Sequence, residues 1–300
     1  MKKTSKSAGG ASRASGSDAP RGSGPMNRFL STFSLASRIP VRRPDPFDPT
    51  RMDFWLPMVG LCVAALEGSI LVLLSLTLFP PVFVALCALA VQYFCFNLFH
   101  LDGLLDTADA FLGTGDRERR LAILKDSRIG TYAFFAGLLY LVAKIELLSF
   151  AVSATRAISG APGWLLAAAG ILAYPIAGRT AGSLIPAFLE PARGDGLGIL
   201  AQGSEARRSL LGCLAALLSW ALLGALLSAL VGGTAPPIPL TALVSLWFVV
   251  PASAALAAAA VGNTFRRGVG GYTGDALGAA VELAELAHLA AALLVFTLLA

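Results

Sequence analysis

Residues 100–111 read HLDGLLDTADAF, and their three aspartates, Asp102, Asp106 and Asp109, recur at i, i+4 and i+7. That interval places all three on one face of a helix about two turns long. Leu101, Leu105, Ala108 and Leu112 repeat it on another face. The segment therefore reads as an amphipathic helix whose apolar side packs on the rest of the protein and whose polar side is purely acidic. Carboxylates about 6 Å apart repel by roughly 3 kcal/mol per pair at an effective dielectric near 20, so a cation or a proton must offset the crowding. Oxygen-only donors suit Mg²⁺ or Mn²⁺, and Mg²⁺ typically takes one or two carboxylates plus substrate phosphates. His100 lies two residues from Asp102 and should face elsewhere, which argues against zinc. A single Asp near a helix start commonly serves only the helix dipole. Three on one face of a charge-poor chain point to metal or phosphate chemistry instead.

The next block, RERRLAILKDSRIGTY, supplies the opposite charge. Lys125, Asp126, Ser127 and Arg128 precede a long apolar run, with Gly130 permitting close backbone approach. Lys125 and Arg128 could neutralise the oxygens of a metal-bound diphosphate, while Ser127 and the amides of a helix start could hold a phosphate. The same residues could equally be the basic anchor of the following span, and that is the reading adopted for Arg117, Arg119 and Arg120. Arg179 is isolated within an apolar run and should face the interior of a helical bundle and an anion. Residues 270–275, GGYTGD, bring Thr273 and Asp275 to the start of the last apolar run, with Glu282 one to two turns later.

The elements that must position these residues are membrane spans. Of the 300 residues 56% are hydrophobic and only 14% charged, with a mean hydropathy of +0.73, far from the roughly 25% charged content of soluble domains. Seven stretches reach the length of about 20 apolar residues that a bilayer demands: 56–79, 81–99, 131–155, 164–189, 209–231, 239–261 and 279–299. They are too continuously apolar for barrel strands, so the expected fold is an all-α polytopic bundle of about seven spans. Breaks fall at Pro80–Pro81, residues 102–128, Pro162–Gly163, PARGDG, GGTAPP and FRRGVGGYTGD. The segments after spans 2, 4 and 6 carry Arg117, Arg119, Arg120, Lys125 and Arg128, then Arg193, Arg207 and Arg208, then Arg266 and Arg267, whereas those after spans 1, 3 and 5 carry Arg156 and little else. The basic face is expected to be cytoplasmic, with the N-terminus and every polar cluster on it and the C-terminus opposite.

Residues 1–28 hold six basic residues and one acidic one, which accounts for the whole net charge of +5. This Ser/Gly/Ala/Arg-rich segment reads as a disordered basic tail near anionic lipid, and residues 29–300 as the transmembrane domain. Because the remainder is neutral, no nucleic-acid partner is expected. Cys62, Cys87, Cys95 and Cys213 all lie in apolar runs without CxxC spacing and read as buried hydrophobes.

HLDGLLDTADAF, LKDSRIGTY and GGYTGDALGAAVELAEL, in that order and spacing, resemble the cobalamin synthase family, as do FLSTFSLASRIPV at 29–41 and the Arg179–Leu197 region. The resemblance covers roughly residues 27–300. It implies a Mg²⁺-dependent transferase in the bacterial inner membrane, an adenosylcobinamide-GDP ribazoletransferase. A ribose hydroxyl of α-ribazole, or of its 5′-phosphate, would attack the phosphorus on the corrinoid arm and release GMP. Asp102, Asp106 and Asp109 would then hold Mg²⁺ on the diphosphate, one of them alternatively taking the hydroxyl proton. Lys125, Arg128 and Arg179 would meet phosphate, and Asp126, Asp275 and Glu282 are reserves for a second metal, base or ribose contact. Other membrane transferases acting on diphosphates, of the CDP-alcohol phosphotransferase or prenyltransferase type, use different aspartate patterns. A secondary transporter is suggested only by Lys144 and Glu146 within the third span, and no internal repeat accompanies them.

Overall fold

The computed structural model describes residues 24–42, 44–96, 98–161, 164–232 and 238–299. The breaks expected at Pro162–Gly163 and within 233–237 lie outside the described residues, as does the tail up to residue 23. The described residues form eleven α-helices and two short 3-10 turns, with no strand among them. The first helix, α1 (Pro25–Ala36), begins within the last four residues of the segment read as a tail, with a proline in its first turn.

Six helical segments are long and apolar enough to cross a membrane. They are α2 (Met52–Ser75), α6 (Thr131–Ile158), the kinked pair α7 (Trp164–Ile171) and α8 (Tyr174–Leu184), α9 (Ala206–Val231), α10 (Leu240–Val269) and α11 (Gly274–Leu299). The seventh expected crossing, 81–99, is different. Its helix α3 (Pro81–Cys95) is only 15 residues long, and α4 (Phe99–Leu112) departs from it at 93°. A 15-residue helix is about 22 Å long, short of the roughly 30 Å hydrocarbon core, so α3 alone makes an incomplete pass before the chain turns.

Every residue of α8 is buried, because its small residues, Ala177, Gly178, Ala181 and Gly182 among them, let α2, α9, α10 and α11 close around it. Outward-facing leucines mark the lipid side. On α9, Leu210, Leu214, Leu218, Leu222, Leu226 and Leu230 are all exposed at intervals of four. Cys213 is buried and the other three cysteines are partly so, all free.

Contacts between helix ends define the two faces. On one, Arg156 at the end of α6 donates to the carbonyls of Ser75, Thr77 and Phe79. On the other, the starts of α6, α9 and α11 meet the ends of α8 and α10 together with α4 and α5 (Arg117–Ile123). The polar segments expected to converge on one rim therefore do converge.

Candidate active site

Helix α4 lies across three helix ends, and glycines set how closely. A Cβ at Gly103 would sit 2.8 Å from the carbonyl oxygen of Asp275, and one at Gly278 would sit 2.8 Å from that of His100. Only a glycine on each side lets the N-terminal half of α4 touch the first turn of α11, which brings Asp102 and Asp106 beside Asp275. Further along, Leu105 packs on Gly137 of α6, and Phe111 stacks on Phe265 of α10 with ring centroids 4.6 Å apart. The buried side of α4 is His100, Gly103, Leu104, Ala108 and Ala110, whereas Leu112 of the expected apolar face is exposed. The contacts of α4 with both α11 and α6 thus draw on a different stripe from that simple repeat.

The three aspartates have unequal surroundings. Asp102 is exposed and borders a cavity of about 290 Å³. Asp106 is partly buried, and its carboxyl is pushed up to about 7, first by burial and then by the like charges of Asp102, Asp275, Asp109 and Asp126. Asp109 accepts hydrogen bonds from the backbone amides of Gly130 at 2.6 Å and Ala133 at 2.8 Å. It thus caps the start of α6, a helix whose own N-cap residue, Gly130, has no side chain to do so. Asp109, expected as a metal ligand with the other two, therefore also fixes the start of α6 through both of its carboxylate oxygens. Among the described residues no group of three His, Cys, Asp or Glu side chains is placed to enclose a metal ion.

The basic partners are exposed and loosely held. Lys125 pairs with Asp195 at 2.8 Å, and this contact, above all, holds the Asp195 carboxyl below its usual range. Arg128 forks onto Asp126, lowering that carboxyl as well, while Ser127 is exposed between them. The loop carrying Asp195 is fastened by the Ala192 amide donating to the Tyr272 carbonyl and the Tyr272 amide donating to the Glu190 carbonyl. Arg117 adds bonds to the carbonyls of Val269 and Ala192. Thr273 is buried and donates its hydroxyl to Asp275 at 2.9 Å. Asp102, Thr273, Asp275, Arg193 and Asp195 all border the one cavity.

Arg179 and Glu282 are not part of this rim. Glu282 lies seven residues into α11 from Asp275, about 10 Å deeper. There Lys144 of α6, wholly buried, pairs with Glu285 at 2.6 Å and Glu282 at 3.3 Å. Arg179 pairs with Glu285, so the anion it was expected to meet is a side chain of the protein. Gln92 and Tyr93 of α3 donate to Glu285 and Glu282, and the Tyr140 hydroxyl also reaches Glu282. Sequence reading missed Glu285 and these partners, although Glu282, Glu285 and His288 recur at i, i+3, i+6, a single-face interval. Glu146, two residues from Lys144, is exposed on the other side of α6.

Fold and cluster together define a multi-pass helical membrane protein with a carboxylate site laid across one face of its bundle. The chain belongs to the cobalamin-5-phosphate synthase family, whose model matches residues 28–293. It is 35% identical over 261 residues to the adenosylcobinamide-GDP ribazoletransferase of Azorhizobium caulinodans, covering 84% of this chain and 90% of that one. It is 31% identical over 277 residues to the protein of the same name from Citrobacter koseri, covering 88% and 98%. No solved structure matches it.

Proposed function

We propose that the protein is an adenosylcobinamide-GDP ribazoletransferase of the bacterial inner membrane, joining α-ribazole or its 5′-phosphate to adenosylcobinamide-GDP with release of GMP. The observation that carries this reading is the meeting of Asp106 with Asp102 and Asp275, the latter two bordering one cavity, with Lys125 and Arg128 on exposed ion pairs nearby. Attack on a diphosphate asks a protein chiefly for positioning and charge neutralisation. The basic face on which the cluster lies would be cytoplasmic, by the excess of Lys and Arg there.

Asp102 and Asp106 fit Mg²⁺. They offer oxygen donors only, and the crowding that raises the Asp106 carboxyl is relieved by a divalent cation. Two protein ligands suffice, because Mg²⁺ keeps waters and substrate phosphates in its remaining positions. When bound, the ion would neutralise charge on the diphosphate oxygens. Asp275, oriented by Thr273, would take the proton of the attacking hydroxyl. Lys125 and Arg128 would exchange their solvent-exposed carboxylate partners, pairs worth little in water, for phosphate oxygens of the substrate and of departing GMP. Asp109 would act by fixing the start of α6 relative to α4. Arg179 and Glu282 would hold the helices together.

The test is reconstitution in liposomes with adenosylcobinamide-GDP, α-ribazole and Mg²⁺, following GMP release. Release no faster than from empty liposomes, with folded protein present, would sink the proposal.

A further inference from the structure

The cavity bordered by Asp102 and Asp275 has a mixed lining, an apolar part and a polar part that also includes His100, Arg193 and Asp195. Leu35 and Ala36 at the end of α1, Leu56 of α2, and Leu277 and Val281 of α11 form an apolar wall. Asp102, Thr273 and Asp275 form the edge that faces the acidic cluster. Residues from α1, α2, α4 and α11 line the cavity together with Gly198, Ile199 and Leu200 of the 3-10 turn Leu197–Ala201.

We infer that this cavity receives the acceptor nucleoside, with its apolar bicyclic base against the Leu35–Val281 wall and its ribose hydroxyls toward Asp102 and Asp275. The inference rests on the ribazoletransferase reading and says which reactant occupies this part of the site. Size decides first. A volume of about 290 Å³ stands at the lower end of the range for small-molecule sites, enough for a nucleoside and far too little for a corrin macrocycle. Polarity decides between the two bases present in the reactants. Guanine carries donors and acceptors around its edge, and burying them against leucine, alanine and valine would leave them unpaired at a cost of about 1–3 kcal/mol each. The benzimidazole base of α-ribazole presents mainly ring carbons, with one ring nitrogen as its only acceptor, so far fewer groups would be left unpaired. Ribose hydroxyls can donate, and the carboxylates of Asp102 and Asp275, which when ionised have no proton to donate, can accept from them. An attacking hydroxyl placed there lies next to the group proposed to take its proton.

Two cavity-filling variants test this in the reconstituted full-length protein. Ala36→Phe fills the apolar wall from α1. Leu200→Trp fills it from the 3-10 turn, where the side chain is already 36% exposed and no core packing is disturbed. Each should raise KM for α-ribazole at least about tenfold, the scale on which apolar pockets discriminate size, while KM for adenosylcobinamide-GDP stays within about twofold. A rise confined to the corrinoid, or unchanged constants for both reactants in Leu200→Trp, overturns the assignment. Wild-type protein that releases no GMP at all would instead sink the transferase reading, so the two failures are distinct. Should Ala36→Phe aggregate, Leu200→Trp decides alone.

Discussion

The carboxylate of Asp109 on α4 sits 2.6 Å from the amide nitrogen of Gly130, at the threshold of α6, and leaves no room for a side chain there: a Cβ at Gly130 would lie 2.6 Å from both carboxylate oxygens. One residue of an acidic triad thus serves the backbone. It joins the helix that carries the cluster to the helix that carries Lys144.

Asp109→Ala should lower the stability of the detergent-solubilised protein by about 1–2 kcal/mol, the usual cost of a lost cap. Gly130→Ala should cost a similar amount, by expelling the same carboxylate. The double variant should be little worse than either single one, since both break one contact. Thermal unfolding midpoints check this, and strict additivity would contradict the capping role.

Asp106→Asn should reduce GMP release by about 10²–10³-fold, the scale of losing one preorganised electrostatic contact to a developing charge. Membrane insertion and monodispersity in detergent should be unchanged, because the side chain is only partly buried. Retention of near-normal turnover would remove Asp106 from the metal role.

The Asp106 carboxyl, held near 7 by burial and four neighbouring aspartates, carries its proton below that pH and must lose it to accept a cation. Apparent Mg²⁺ affinity should therefore fall by about tenfold per unit as pH drops below 7, and flatten above it. In Asp106→Asn that slope should disappear. Titrating Mg²⁺-dependent GMP release between pH 5.5 and 8.5 measures both, those limits being set roughly one and a half units either side of 7.

Lys144→Met should be severely destabilising, by about 3–5 kcal/mol, because Glu282 and Glu285 would be left with Arg179 as the nearest cation in a wholly buried cluster. Lys144→Met combined with Glu285→Gln keeps one cation and one anion, and should recover much of the loss. Yield of folded protein after detergent extraction separates the outcomes. Equal yields for the single and double variants would mean that charge balance is not what the cluster supplies.

A reporter fused after Leu299 should be periplasmic and one inserted beside Arg119 cytoplasmic. With α3 and α4 counted as one bent pass the chain crosses seven times, so its ends lie on opposite sides. A further reporter on the N-terminus should share the side of Arg119; the opposite side would mean that α3 does not cross, because α6 to α11 separate Arg119 from Leu299 in either case.

The spans were legible because apolar runs of this length have a single use, and the convergence of polar segments followed from their alternation along the sequence. The rim residues Asp102, Asp106, Thr273 and Asp275 were legible for the same reason: charge beside lipid demands an explanation. Asp109 looked like its neighbours because spacing reports the face of a helix and says nothing of which backbone amides that face will meet. Arg179 was expected to find an anion, and the sequence offered no means of telling a substrate phosphate from Glu285, 106 residues away. The bend after Cys95 was hidden for a related reason. Hydrophobicity runs smoothly through residues 81–99, while the turn is set by how α4 packs on glycines of α11 and α6.

Because α4 leaves α3 at 93° and packs on the helices that follow, Asp102 and Asp106 lie on a segment turned across α3 rather than continuing it. On the function proposed above, a large polar reactant would then reach them without shedding its water to hydrocarbon, and its encounter with the protein would follow its concentration in solution.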